Sequence, residues 1–356
     1  MPTEREVLDA LSGVMDPELG KDIVTLGFIK ELMVTGGKVS FSVELTTPAC
    51  PLRREIEANA RQAASSVRGV TEVDVKMTAR VRGPLAAASL PGVKNVIPVA
   101  SGKDGVGKST ITANLAVSLA RAGARVGIMD ADVYGPSIPL LMGVDEEPGV
   151  RGDKLVPPEA YGVKIMSIGF FAAETEAVVW RGPMLHGVVK QFLEQVEWGE
   201  LDYLLIDLPP GTGDIQLSLC QMLCFTGAVI VSTPQDAALR VARKAVSMFQ
   251  KLDRPILGLV ENMSYFTCPH CGKREDIFGH GGAKAAAEAM GMPFLGEIPL
   301  ATAVRAASDS GRPVAVAEPG SSLAKAFDAV ASAVASAASI KSVGALGSGG
   351  ALGSGG

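Results

Sequence analysis

Val96-Ile97-Pro98-Val99-Ala100, then Gly102-Lys103-Asp104-Gly105-Val106-Gly107-Lys108-Ser109, then a helical pattern from Thr110 to Ala122: this run decides the fold. It predicts strand, glycine-rich loop and helix in succession, with the spacing G-x-x-x-x-G-K-S. In that order bare backbone N–H groups wrap a phosphate chain, and the helix N-terminus adds partial positive charge. Lys108 would reach the β- and γ-phosphates, and Ser109 would offer a hydroxyl to Mg2+. Gly102 through Thr110 are therefore the candidate nucleotide-binding residues. A glycine-rich turn in an unrelated α/β domain is the competing reading. Two residues are unusual for such a loop: an additional lysine, Lys103, and an acid, Asp104, where negative charge is unwelcome.

Outward from this run, apolar strands alternate with amphipathic stretches. Strands are expected near Val96–Ala100, Arg125–Asp130, Val163–Ile168, Tyr203–Asp207, Ala228–Ser232, Ile256–Glu261 and Phe294–Glu297. Continuous apolar runs between helices predict an α/β fold, a mainly parallel sheet flanked by helices. Ligands then gather at the carboxyl ends of the strands. Upstream, residues 1–77 read as a small α+β domain. Helices are expected at Glu4–Val14 and Leu52–Val67, and strands at Phe28–Val34, Lys38–Leu45 and Val70–Met77. Gly36-Gly37 is a hairpin signal. Residues 78–93 read as a linker, 94–338 as the larger domain, and 339–356 as a flexible Gly/Ser-repeat tail with no part in function.

The 356 residues are 47% hydrophobic and include 41 glycines, enough for a sizeable core with many tight connections. A net charge of −5 argues against non-specific nucleic-acid binding. No run approaches the ~18 apolar residues of a membrane span, so no membrane partner is expected. The polar start Met1-Pro2-Thr3-Glu4-Arg5-Glu6 does not read as a signal peptide. Five cysteines then predict reduced thiols and a cytoplasmic protein.

Two strand ends carry acids. Asp207 closes Tyr203-Leu204-Leu205-Ile206-Asp207, the position from which a phosphate-loop protein holds Mg2+. Asp130 and Asp132 close another strand at i and i+2, a spacing that lets one acid lie near the metal and the other orient an attacking water. For each, a solvated or turn-capping aspartate is the plainer alternative. Cys268-Pro269-His270-Cys271 is a C-x-x-C on a polar loop. A redox dithiol, half a zinc ribbon and two inert thiols all fit it. The chain holds no second C-x-x-C, so four thiolates from this motif require two copies across a dimer axis, enough for a [4Fe–4S] cluster or one Zn2+. Cys220 and Cys224, spaced i and i+4 in a helical stretch, could face the same way, and small buried thiols are the plainer reading.

Lys103 together with Gly105-Val106-Gly107-Lys108-Ser109 resembles the deviant Walker A motif of the MinD/ParA/ArsA/nitrogenase-iron-protein superfamily. Asp130-Ala131-Asp132-Val133-Tyr134-Gly135-Pro136-Ser137, Trp180-Arg181-Gly182-Pro183-Met184 and Leu201-Asp202-Tyr203 through Asp214 narrow the resemblance to Mrp/ApbC-type iron–sulfur cluster carriers. Ser232-Thr233-Pro234-Gln235, Glu261-Asn262-Met263-Ser264 and Phe278-Gly279-His280-Gly281-Gly282 also fit. The resemblance implies an ATP-hydrolysing homodimer sandwiching two nucleotides, with Lys103 crossing to the partner's phosphates and Asn262 contacting adenine. It implies catalytic roles for Lys103, Lys108 and Asp132, and Mg2+ held by Ser109, Asp130 and Asp207. It also implies a labile [4Fe–4S] cluster on Cys268 and Cys271, received from a scaffold and passed to recipient apo-proteins. The N-terminal unit resembles the small domain of iron–sulfur assembly factors. That points Cys50, beside Asp16-Pro17-Glu18 in the motif, toward cluster transfer; a structural loop thiol is the other reading.

Such carriers have glycine where Asp104 stands. A positive φ there would strain a non-glycine residue, and a carboxylate near phosphate would repel it. Two other function classes stay open. A ParA/MinD-like positioning ATPase shares the loop but predicts a basic amphipathic C-terminal helix, whereas Leu323–Val330 is Ala-rich and weakly charged. A zinc-bridged structural dimer with weak turnover shares the cysteines.

Overall fold

The computed structural model describes residues 1–83, 90–171, 182–211, 213–222 and 224–348. Trp180, Arg181 and Thr212 of the motifs above lie outside the described residues, as do 84–89 of the expected linker and 349–356 of the tail. The chain separates into two compact units, Met1–Arg82 and Gly83–Gly356.

The first unit begins with helix α1 (Glu4–Leu11). Its start is a capping box: Glu6 N–H donates to Thr3 Oγ1 at 3.3 Å, and Thr3 N–H donates to Glu6 Oε2 at 2.9 Å. The helix stops at Leu11 rather than Val14, where Ser12 caps it. Strands β1 (Ile29–Thr35) and β2 (Lys38–Leu45) form the expected hairpin through Gly36 and Gly37, at φ +59° and +91°. Helix α2 (Arg53–Ser65) returns the chain so that β3 (Glu72–Ala79) lies parallel to β2. The ladder reaches into the stretch that reads as linker. The core of this unit is Val7, Leu11, Ile23, Phe28, Phe41, Val43 and Ile56. Truncating Ile56 there to alanine costs about 2–5 kcal/mol.

All seven strands expected in the second unit are present, and all are parallel. They are β4 (Val93–Ser101), β5 (Val126–Asp130), β6 (Val163–Ser167), β7 (Leu201–Asp207), β8 (Ala228–Ser232), β9 (Ile256–Thr267) and β11 (Phe294–Leu300). Their spatial order is β6-β5-β7-β4-β8-β9-β11. The short β10 (Arg274–Glu275) pairs antiparallel with the far end of β9. Every residue of β7 is buried, as a strand covered on both faces must be. The chain leaves β4 toward β5 on one side and later places β8 on the other, so the crevice at the end of β4 is where ligands bind in such sheets.

Helix α3 (Lys108–Arg121) follows β4 directly, α4 (Ile138–Met142), α5 (Gly182–Gln195) and α6 (Asp214–Met222) come next along the chain, and α7 (Asp236–Lys251) packs over the same sheet. The terminal helix, α9 (Ser322–Ser348), continues well past Ala338. Its segment Ser322–Ser342 has the length and composition of a membrane-crossing helix, which the absence of a long unbroken apolar run did not anticipate. More than half of that segment is buried, against β11 and α3, as in a core helix.

Candidate functional site

The loop after β4 is shaped by close approaches. A Cβ on Gly102 would stand 2.5 Å from the Val241 carbonyl carbon of α7. At Gly107, φ is +78°, and a Cβ would stand 2.3 Å from Asn262 Nδ2. Gly105 also needs its left-handed φ of +76°. Asp104 and Gly102 do not adopt left-handed backbone, so the strain considered for an acid at 104 is absent. What Asp104 adds is an exposed carboxylate on the wall of the cleft. That cleft, about 450 Å³, is lined by residues 103–110 together with Asp132, Tyr134 and Pro210.

Register aligns the acids. Asp207 pairs with Asp130 across β7 and β5 and with Val99 across β7 and β4. Lys108, 6% exposed at the start of α3, donates to Asp207 Oδ2 at 2.6 Å and lies 3.3 Å from Asp132 Oδ2. Ser109 Oγ donates to the same Asp207 oxygen at 2.5 Å, and Thr112 Oγ1 donates to Asp207 Oδ1 at 2.8 Å. Burial pulls the Lys108 pKa down, but Asp207 and then Asp132 more than offset it, and the net shift is upward. Burial raises the Asp132 carboxyl, against the pull of Lys108. Asp130 is pushed to about 7, by burial first and by the charge of Asp207 second.

Three carboxylates thus surround one buried ammonium, and this excess negative charge suits a divalent cation. Asp207 and Ser109 present a carboxylate and a hydroxyl together at the loop, a donor set that fits Mg2+. Asp130, expected near the metal, spends its oxygens elsewhere. Oδ1 accepts from Asp132 N–H, and Oδ2 accepts from Ile138 N–H and from Ser167 Oγ. In this geometry it orders the loop that carries Asp132. Lys103 is half-buried at the cleft edge, and Ser101 Oγ donates to its carbonyl. Asn262 is buried and donates from Nδ2 to the Val106 carbonyl at 2.8 Å.

Cys268 and Cys271 sit at the tip of a hairpin beyond β9. Cys268 N–H donates to Lys273 O, and Gly272 N–H donates to Cys268 O. The Cys268 pKa is lowered because the N–H of Cys271, then that of His270, then the Cys271 thiol donate to its sulfur. Cys50 is the opposite case. Burial pushes its thiol up to about 11, and the charges of Glu18 and Asp16 add to this. Burial likewise pushes Cys220 up to about 12, whereas Cys224, expected buried beside it, is exposed because helix α6 ends at Met222. Lower pKa means more thiolate at neutral pH. Iodoacetamide at pH 7 is therefore expected to modify Cys268 about tenfold faster than Cys50, read by peptide mass spectrometry. Equal rates would show that these surroundings do not govern the two sulfurs.

Several contributors escape the sequence pattern. Thr112 shares a face of α3 with Lys108, four residues on, and that spacing was a usable signal. Ser167 gave none. Glu261, Ser264, His280 and Glu297 meet beside Asn262. Glu261 accepts from Gly281 N–H at 2.9 Å, Ala283 N–H at 2.7 Å and Ser264 Oγ at 2.6 Å. His280 Nε2 lies 2.8 Å from Glu297 Oε2. Glu261, His280 and Glu297 each bring a ligand atom within 4.8 Å of the others. Both oxygens of Glu261 are already committed to the start of α8 (Gly282–Ala289) and to Ser264, so the group acts as a clamp between β9, β11 and α8.

A family model described as NUBPL iron-transfer P-loop NTPase matches residues 92–335, and one described as iron-sulfur cluster assembly protein matches residues 4–75. An iron-sulfur cluster carrier protein of Deinococcus radiodurans is 51% identical over 331 residues, covering 92% of this chain and 94% of its own. A nucleotide-binding protein of Archaeoglobus fulgidus, solved with ADP and with cobalt, is 46% identical with a TM-score of 0.56. The match covers 62% of this chain and 88% of that one. The cell division ATPase MinD of Pyrococcus furiosus gives 27% identity and a TM-score of 0.53, over 67% of this chain and 98% of its own.

Proposed function

Since this chain belongs to the iron-transfer P-loop NTPases, we propose that it is an ATP-hydrolysing iron–sulfur cluster carrier, working as a homodimer that passes a [4Fe–4S] cluster to recipient apo-proteins. The observation that carries the reading is one strand, β9, which joins a phosphate-loop contact at Asn262 to an exposed Cys-x-x-C whose first thiol has a lowered pKa. The cluster is cargo. It needs four thiolates, and each copy of the motif supplies two, Cys268 and Cys271. Cys50, held protonated by burial, is an acceptor only once a cation or a partner displaces its proton.

In the nucleotide cleft, backbone N–H groups of residues 105–109 would take the phosphates, and Lys108 would exchange Asp207 and Asp132 for γ-phosphate oxygens. Mg2+ held by Ser109 and Asp207 would supply charge neutralisation at the β- and γ-oxygens. Asp132, on the cleft wall, would orient water toward phosphorus, while Asp130 fixes the loop that carries it. Lys103 would add its charge from the partner subunit. Lys108→Ala removes the ammonium that pairs with Asp207 and Asp132. ATP turnover is expected to fall by about 10²-fold or more, measured as released phosphate. Turnover within about twofold of the parent would remove Lys108 from the chemistry.

The experiment that tests the carrier reading is anaerobic reconstitution with iron and sulfide, followed by absorption and by iron and zinc analysis per chain. Retained iron with a thiolate-to-iron band, and transfer of that iron to an apo-ferredoxin, supports it. A chain that keeps only zinc refutes it.

A further inference from the structure

We propose that Met263 is a strained joint through which the phosphate loop sets the position of Cys268 and Cys271. This rests on the reading that the loop binds a nucleotide. Met263 is a non-glycine residue at φ +55° inside strand β9. Side chains rarely accept that backbone, and holding one there stores strain. The strain lies at a break in the ladder. β9 pairs with β11 through Asn262↔Ile298, and pairing resumes only at Phe266↔Leu300.

Both flanks of the joint are held. On the N-terminal side, Glu261 is pinned by the N–H groups of Gly281 and Ala283. Asn262 is tied to Val106 O and stands where any side chain on Gly107 would be. Met263 Cε itself lies 3.8 Å from the Cβ position of Gly107. On the C-terminal side, Ser264 Oγ donates to Glu261 and lies 2.9 Å from Glu297 Oε2. Beyond it, Phe266 and Thr267 pair with Glu275 and Arg274, and Arg274 caps the Tyr265 ring at 4.0 Å. This hairpin carries the two cysteines as one piece.

Val106 lines the cleft, so a ligand that reshapes the loop moves the carbonyl to which Asn262 is bound. Release of Asn262 allows residue 263 to return to extended backbone, and the stored strain favours that return. The hairpin then shifts with it. A ligand moves an equilibrium only through a difference in its affinity for the two states; the loop shape that keeps or releases the Asn262–Val106 bond is that difference, and the strain at Met263 sets how readily the joint answers it.

The test follows alkylation of Cys268 and Cys271 by peptide mass spectrometry in the full chain prepared without iron. Rates are compared with no nucleotide, with Mg·ADP and with a non-hydrolysable ATP analogue, and occupancy is measured by calorimetry on the same samples. In the parent, saturating nucleotide is expected to change the rates about fivefold or more, as a strained joint supports. Met263→Gly makes both backbone states equally easy and should reduce the change to within about twofold in a chain that calorimetry shows is still saturated with nucleotide. Met263→Leu keeps the strain and should keep the response. A parent that binds nucleotide without any change in rate overturns the joint, as does a Met263→Gly chain with the full response. Absence of calorimetric binding in the parent overturns the nucleotide reading instead, and the joint with it.

Discussion

A chain carrying Cys268→Ala and Cys271→Ala should retain essentially no iron after anaerobic reconstitution, while its affinity for ADP stays within about twofold of the parent. The two sulfurs sit on an exposed hairpin tip and contribute nothing to the core, so their removal should leave the melting temperature unchanged. Loss of iron is then loss of ligands and not of fold. Two single variants refine the result. Cys268, whose thiolate is favoured by N–H groups of Cys271 and His270, is the better anchor, and Cys268→Ala should lose iron faster than Cys271→Ala. If the double variant binds as much iron as the parent, the metal lies elsewhere and the role given to this hairpin fails.

The second large effect is a gain. Asp104→Gly is expected to raise ATP turnover by roughly tenfold, with a smaller change in ADP affinity. The backbone at 104 is not left-handed, so glycine relieves no strain there and the whole effect is electrostatic. A carboxylate about 4 Å from a phosphate is opposed by up to ~4 kcal/mol at an effective dielectric near 20. Exposure of Asp104 cuts this to a fraction, which is why about one decade is the expected size. The repulsion grows with the charge of the nucleotide, so ATP feels it more than ADP. Adjacent Lys103 is the residue proposed to cross to the partner, so dimer closure should respond as well. Asp104→Asn separates charge from shape: it should recover most of the gain. Equal turnover in parent and Asp104→Gly would show that the acid is silent.

Much of the fold was legible because buried parallel strands are written as unbroken apolar runs. Ala228–Ser232 was read to the residue, and the loop after Ala100 announced its own helix. Strand β9 was read as ending at Glu261, since Glu261-Asn262-Met263-Ser264 interrupts the apolar pattern. It continues to Thr267 because β11 and β10 supply partners that no local pattern encodes. The left-handed Met263 was invisible for the same reason: only long-range ties hold it. Asp130 ends β5, as the apolar run before it implies. Its orientation depends on Ser167 and on Ile138 N–H, and neither lies in its local sequence. The terminal helix runs past Ala338 although the residues there are poor helix formers, because Ser339 and Ser342 are buried, and no local pattern encodes that packing.

Helix α9 leaves the ribosome about two hundred residues after α3, the helix that begins with Lys108 and one of the surfaces on which α9 packs. At ordinary rates of synthesis that is a delay on the order of tens of seconds. Throughout that interval the side of α3 that meets α9 has no cover, and the phosphate loop is mounted on a helix not yet seated. An apolar segment long enough to be mistaken for a membrane span therefore emerges long after the helix it covers. Nascent chains should depend most on chaperones at this stage, and competence to bind nucleotide would arrive late in synthesis.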